Sequence, residues 1–209
     1  MRLASPPALV LASGSAGRLR LLRAAGIDPE VVVSGVDETY DDGLDTAAAV
    51  AELAERKAAV VAGQRPDGLV LGCDSMLDFD QRAFGKPASA DEAAGLWRRL
   101  SGREGTLCTG HCLIEPGGGR RIRAVARTVV RFGAPTEAEI AAYVASGEPL
   151  LMAGAFSLDG RSAPFVDSIA GDPSNVIGLS LPLLRRLLAE LGIAITDLWR
   201  SPALAGAED

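Results

Sequence analysis

The sequence predicts an α/β fold with a mixed, twisted sheet flanked by helices, two lobes around a central cleft. Three observations carry this. Short apolar runs alternate with helical periodicities through the first hundred residues. Two longer strand-like runs follow, split by Pro116 and the glycines 117–119. No stretch reads as a linker or a repeat, so residues 1–200 form one domain and "SPALAGAED" (201–209) a flexible tail.

Each element has a local reason. Residues 9–12 are a short strand running into the small-residue loop Ser13-Gly14-Ser15-Ala16-Gly17. A helix over about 16–25 turns Leu19 and Leu22 inward and stops at Gly26. "EVVVS" (30–34) is a buried-type strand. Residues 46–62 form a helix with Thr46 or Asp45 as N-cap and Gly63 as stop. "GLVLGC" (68–73) is another buried strand, ending at Asp74. Ser89 and Glu92 make a capping box for a helix to Leu100, and Thr136 and Glu139 make one for a helix to Ser146. Between these helices, 106–115 and 121–132 pair as a hairpin. Pro182 opens a last helix whose Leu183, Leu184, Leu187, Leu188 and Leu191 pack inward before Gly192.

Composition then narrows the function. The chain has 209 residues, 48% hydrophobic and 23% charged, an ordinary globular balance. Its net charge is -6 and it has no dense Lys/Arg block, which argues against nucleic acid or an anionic membrane as partner. No apolar run approaches the ~20 residues that span a bilayer. The start, "MRLASPPALVLASGS", reads as a strand rather than a secretory leader. Three cysteines, Cys73, Cys108 and Cys112, with no C-x-x-C pair suit a reducing cytoplasm. The ligand compatible with this balance is a small anion, held by a few focused cations or through a metal.

Candidate chemistry gathers at the ends of strands. The loop "SGSAGR" offers backbone N–H groups, two hydroxyls and Arg18 at a helix N-terminus, where anions are favoured. It matches neither the P-loop nor the G-x-G-x-x-G pattern, and on spacing alone a tight βα turn accounts for it as well. Asp74 ends an apolar strand, where open α/β sheets place ligands, so it is a candidate base or metal ligand. Asp37 or Glu38, after a second strand, could join it around one divalent cation. Lys86, between Gly85 and Pro87, is a fixed cation suited to phosphate. Lys57, in an alanine-rich helix, reads by itself as a surface lysine.

Three alternatives fail. His111 is the only histidine, so a multi-histidine metal site is excluded. It stands three positions from Cys108 on a strand, hence on the opposite face, which argues against a local Cys–His pair. "DFD" (78–80) has Arg82 where an aspartyl-phosphate phosphatase would carry a hydroxyl or valine, and reads as core and turn.

Taken in order, the motifs resemble one family, the Maf nucleoside triphosphate pyrophosphatases, also described as septum-formation inhibitors. Ser13, Ser15 and Arg18 fall in register with its S-x-S-P-R-R loop, followed by "VSGVDE" (33–38), "ERKA" (55–58), "GCDSM" (72–76), "GKP" (85–87) and "LSGR" (100–103). "YVASGEPL" (143–150), "AGAF" (153–156) and "GLSLPLL" (178–184) continue the match, which spans about residues 9–191.

The resemblance implies cytoplasmic hydrolysis of nucleoside triphosphates to the monophosphate and pyrophosphate, in a homodimer, with a divalent cation (Mg or Mn). It implies Asp74 as general base and, with Glu38, metal ligand, and Ser13, Ser15, Arg18, Lys57 and Lys86 as the triphosphate's contacts. It also implies housecleaning of unwanted nucleotides and a link to cell division; a nucleotide-binding regulator with vestigial catalysis is the alternative. Two departures matter. Ala16-Gly17 replaces Pro-Arg, so one phosphate-facing arginine is missing. Asp159 stands where many members carry glutamine, and as an acceptor-only group it is expected to read the nucleobase and to disfavour uracil and thymine.

Overall fold

The computed structural model describes residues 8–41 and 43–199, so the expected tail over 201–209 lies outside the described residues. In chain order the elements are β1 (Leu9–Leu11), α1 (Ala16–Ala24), β2 (Glu30–Val31), α2 (Thr46–Gln64), β3 (Leu69–Phe79), β4 (Arg82–Phe84), α3 (Ala90–Leu100), β5 (Glu104–Ile114), β6 (Arg121–Phe132), α4 (Glu137–Ala145), β7 (Val166–Ala170), α5 (Pro173–Ile177) and α6 (Leu181–Glu190). The strands form one seven-stranded sheet, ordered β2-β1-β3-β5-β6-β7, with β4 beside β3. β1 is parallel to β2 and β3, and the other pairings are antiparallel, so the sheet is mixed as expected.

One feature of the pairing positions the site. β5 covers one edge of β3 from Val70 to Asp78. On the other edge β1 covers Leu69–Leu71 and β4 covers Leu77–Phe79. Among the described residues no strand pairs with 72–76 on that side, so the sheet parts there. The core divides accordingly. Leu11, Leu22, Leu71, Leu184 and Leu187 pack with α1 and α6 at one end. Leu77, Trp97, Leu100, Phe132, Tyr143 and Phe156 pack with α3 and α4 at the other.

α2 covers the opposite face, over Val10, Val70 and Cys112, residues that alternate with those of the first core. Two glycines bring it close. A Cβ on Gly72 would stand 2.2 Å from the Ala54 carbonyl oxygen, and one on Gly110 would stand 2.1 Å from that of Val50. Only backbone fits between sheet and helix at these points.

Several elements differ from expectation. "EVVVS" yields only the two-residue edge strand Glu30–Val31, and Val31 and Val33 are exposed, because a run of β-branched residues carries no period to separate an edge from a core strand. β3 does not end at Asp74 but runs on to Phe79, so Asp74 lies mid-strand, just past the part that pairs with β1. α2 passes through Gly63 to Gln64 and is capped by the Asp45 carboxylate, which accepts from the Ala48 N–H. The Thr136 capping box is complete, whereas Glu92 reaches back to the N–H of Ala88 rather than of Ser89. β7 and α5 carried no periodic signal. Asp80 and Gln81 form the left-handed two-residue turn between β3 and β4, and Asp80 pairs with Arg99 and Arg103 on the surface, so "DFD" is core and turn.

Candidate active site

A cleft of about 700 Å³ opens where the sheet parts, a size typical of ligand sites. Ser13, Ser15 and Arg18 line it from the β1–α1 loop and the start of α1. Glu38, Lys57 and Asp74 line its floor, Lys86 one rim, and Asp159 a wall formed by 151–159. The eight residues singled out in the sequence thus share one cavity.

The floor is a buried ion pair. The Lys57 ammonium lies 2.6 Å from Asp74 Oδ1, and both side chains are 8% exposed. It also lies 2.7 Å from Glu38 Oε1, whose side chain is open to the cleft. Lys57 is therefore not a surface lysine. The close approach of α2 at Gly72 and Gly110 places it one residue from Ala58, beneath β3, where its ion-pair partners among the described residues are these two acids. Burial pushes the Asp74 carboxyl above its ordinary range, against the charges of Lys57 and Arg18, which favour the ionised form. Burial also works to raise Glu38, but the hydrogen bond and charge of Lys57, with the charges of Lys86 and Arg18, outweigh it and leave Glu38 lowered. Of the two acids left open at 37 and 38, Glu38 faces Lys57, while Asp37 turns back to accept the N–H of Thr39.

Arg18 is buried without a carboxylate among the described residues. Its Nε donates to the Gly178 carbonyl (2.7 Å), Nη1 to Ser13 Oγ (2.9 Å) and Nη2 to Ser75 Oγ (3.0 Å). These neutral acceptors fix the guanidinium without a direct ion pair, and its charge acts across the cleft on Asp74 and Glu38. Ser15 caps α1, accepting from the Arg18 N–H, so its hydroxyl is engaged structurally. Lys86 is exposed on the cleft rim and has no ion pair among the described residues.

Asp159 Oδ2 accepts from Arg20 Nη2 and its Oδ1 from the Ser157 hydroxyl, each at 2.5 Å, which fixes the carboxylate while each oxygen keeps further acceptor capacity. Burial works to raise this carboxyl, but the hydrogen bonds of Ser157 and Arg20 outweigh it and hold it low. Sequence reasoning missed Arg20, which lines the cleft, and Ser75, which steadies Arg18. The wall itself is pinned from the core: Trp97 Nε1 and the Tyr143 hydroxyl both donate to the carbonyl of Ala155, a residue held at φ 63°. A left-handed alanine carries strain, which two buried hydrogen bonds to its carbonyl offset.

The remaining titratable groups are structural. His111 faces away from Cys108; its Nδ1 donates to the Thr109 carbonyl and its Nε2 accepts from the Ser180 N–H. Burial pushes it down to about 4. Cys73, Cys108 and Cys112 are buried free thiols, pushed up by desolvation, Cys73 to about 11 and Cys112 to about 12, which disfavours the reactive thiolate. Among the described residues no group of three or more His, Cys, Asp or Glu could hold a metal. The donor set that remains is Glu38 with Asp74. Two carboxylates suit a hard cation such as Mg²⁺, which completes its shell with water and phosphate oxygens rather than an all-protein cage.

A sheet that parts beside a helix N-terminus and fixed cations defines an α/β protein with a cleft whose chemistry suits small anionic ligands. Comparison with known proteins makes this particular. The chain belongs to the family described as Maf-like protein, whose model matches residues 8–191. It is 61% identical over 204 residues to a nucleoside triphosphate pyrophosphatase of Streptomyces coelicolor, covering 96% of each chain. It is 54% identical over 199 residues to one of Salinispora tropica (93% of this chain, 88% of the relative). It is 48% identical over 191 residues to one of Gloeothece citriformis (91% and 97%). No helix among the described residues is long and apolar enough to cross a membrane.

Proposed function

We propose that this chain is a nucleoside triphosphate pyrophosphatase, cleaving between the α and β phosphates, and that it clears unwanted nucleotides from the cytoplasm. The observation that carries the reading is the buried Lys57–Asp74 pair at the parting of the sheet, in a member of a family whose relatives bear that name. Asp74 is the general base: it orients a water toward the α-phosphorus and takes its proton, and burial poises its carboxyl for that exchange. Lys57 keeps Asp74 ionised and oriented until then. Arg18, Lys86 and the N–H groups at the start of α1 hold the triphosphate and offset charge developing on the leaving pyrophosphate. Glu38 and Asp74 would hold a divalent cation together with the substrate's phosphates, and such an ion supplies charge neutralisation and activation of water.

The test is to incubate the purified chain with a panel of nucleoside triphosphates and Mg²⁺ or Mn²⁺ and to assay pyrophosphate. Release of monophosphate and pyrophosphate, reduced about 10²–10⁴-fold in folded Asp74→Asn, supports the reading. Orthophosphate and nucleoside diphosphate in place of pyrophosphate and monophosphate would mark a plain phosphatase, and tight binding without turnover would mark a nucleotide-binding regulator.

A further inference from the structure

The cations of the cleft differ in how they are held, and Lys86 stands exposed on the rim. Lys57 is spent on Asp74 and Glu38, and Arg18 donates from all three guanidinium nitrogens to neutral oxygens. Arg20 is different. It reaches from α1 to the facing wall, where a single nitrogen, Nη2, meets Asp159 Oδ2 at 2.5 Å, and its side chain is 60% exposed. A guanidinium carries five N–H donors, so most remain unspent.

The surroundings fix its direction. Asp159 is itself held by the hydroxyl of buried Ser157, so it is a firm anchor. One turn earlier on the same face of α1 stands Gly17, which lines the cleft without a side chain. A Cβ there would stand 3.2 Å from the Ile177 carbonyl oxygen, so α1 lies close against α5 at this point and carries no side chain toward the cleft. Two exposed apolar side chains, Val33 (66%) and Leu151 (67%), also line the cleft, and Leu151 shares the wall with Asp159. Exposed apolar surface beside a guanidinium is what the flat face of a base would cover.

We propose that Arg20, positioned by Asp159, is the specificity-determining side chain of the cleft, and that it selects triphosphates whose base presents oxo acceptors over those that present an amino group. The inference rests on the reading of the cleft as a nucleotide site. A guanidinium donates only, and it matches two adjacent acceptors, such as the O6 and N7 of an oxopurine, in a bidentate fork. An exocyclic amino group in that place, as in adenine or cytosine, sets donor against donor. The carboxylate, bonded to Arg20 and Ser157, positions the reader.

The experiment compares kcat/KM for pyrophosphate release from guanosine, inosine and uridine triphosphates with that from adenosine and cytidine triphosphates. Calorimetric binding of the α,β-methylene analogues of guanosine and adenosine triphosphate gives a second readout. The wild type is expected to favour the oxo bases in both. Arg20→Met should lower the oxo-to-amino ratio about 10-fold or more, and Asp159→Asn should lower it less, because the arginine remains but is loosened. Three results overturn the proposal: no oxo preference in the wild type, an unchanged ratio in Arg20→Met, or a uniform loss across all bases with an equal loss of inorganic triphosphate binding, which would make Arg20 a phosphate contact. In each of these the enzyme still turns over, so the failure belongs to the inference alone. A wild type that neither hydrolyses nor binds any triphosphate sinks the nucleotide reading and the inference with it.

Discussion

Replacing Lys57 with methionine removes an ammonium and keeps most of the side chain's volume. What it leaves is Asp74, 8% exposed, with no ammonium at 2.6 Å. Breaking a buried pair by removing one partner costs about 3–5 kcal/mol, because the other charge stays desolvated. Against a typical domain stability of about 5–15 kcal/mol that is a large share. Asp74 has one escape, which is to take a proton. Burial already raises its carboxyl, and without Lys57 it rises further. A carboxyl raised in the folded state binds more protons folded than unfolded, so its penalty grows as pH rises through that range and shrinks as pH falls. The variant should therefore be weakened most at pH 7 and less at pH 5. Urea unfolding followed by fluorescence of buried Trp97 measures this. Asp74→Asn supplies the second arm of a double-mutant cycle: in that background Lys57→Met should cost much less, since no carboxylate is stranded. If the two losses add within about 0.5 kcal/mol, or if the loss is the same at both pH values, the pair does not couple and the reasoning fails.

Three further predictions follow from other parts of the fold. His111, the only histidine, fits its two partners only when neutral, and burial holds it down to about 4 from 6.5; its contribution is whole above pH 6.5 and falls by roughly 3 kcal/mol as pH drops toward 4, so stability of His111→Gln should depend less on pH across that window. Gly110→Ala drives a Cβ to within 2.1 Å of the Val50 carbonyl oxygen and should cost about 1–3 kcal/mol or more, with loss of activity as α2 lifts Lys57 from Asp74, whereas Gly95→Ala on α3, with nothing within 4 Å, should stabilise by about 0.5–1 kcal/mol in the same thermal-melt comparison. Lys86→Ala and Arg18→Ala should lower kcat/KM for every triphosphate alike, because phosphate contacts carry no base information; a loss confined to one base would remove them from the phosphate end.

Much of this was legible in the chain itself. The small-residue loop into α1, the Thr136 capping box and the leucine stripe of α6 are local patterns, and each formed where its spacing placed it. That Ser13, Arg18, Asp74 and Lys86 belong together was implied by the family resemblance that the order of linked motifs carries, since a sequence holds residue identity and order without distance. What tertiary structure alone decided was how those groups face one another. Lys57 looks like any exposed lysine in an alanine-rich helix until two glycines on neighbouring strands let α2 lie flush on the sheet, and only then does it become the partner of a buried acid. The end of a strand at Asp74 was misread because hydropathy cannot see that β1 and β4 cover different stretches of one edge of β3 and leave 72–76 open between them. Arg20 and Asp159 stand 139 residues apart, and no local pattern joins them. Periodicity and capping act over a few residues, through backbone geometry and near-neighbour hydrogen bonds; burial, pKa and pairing depend on which distant segments arrive at the same place, and folding settles that.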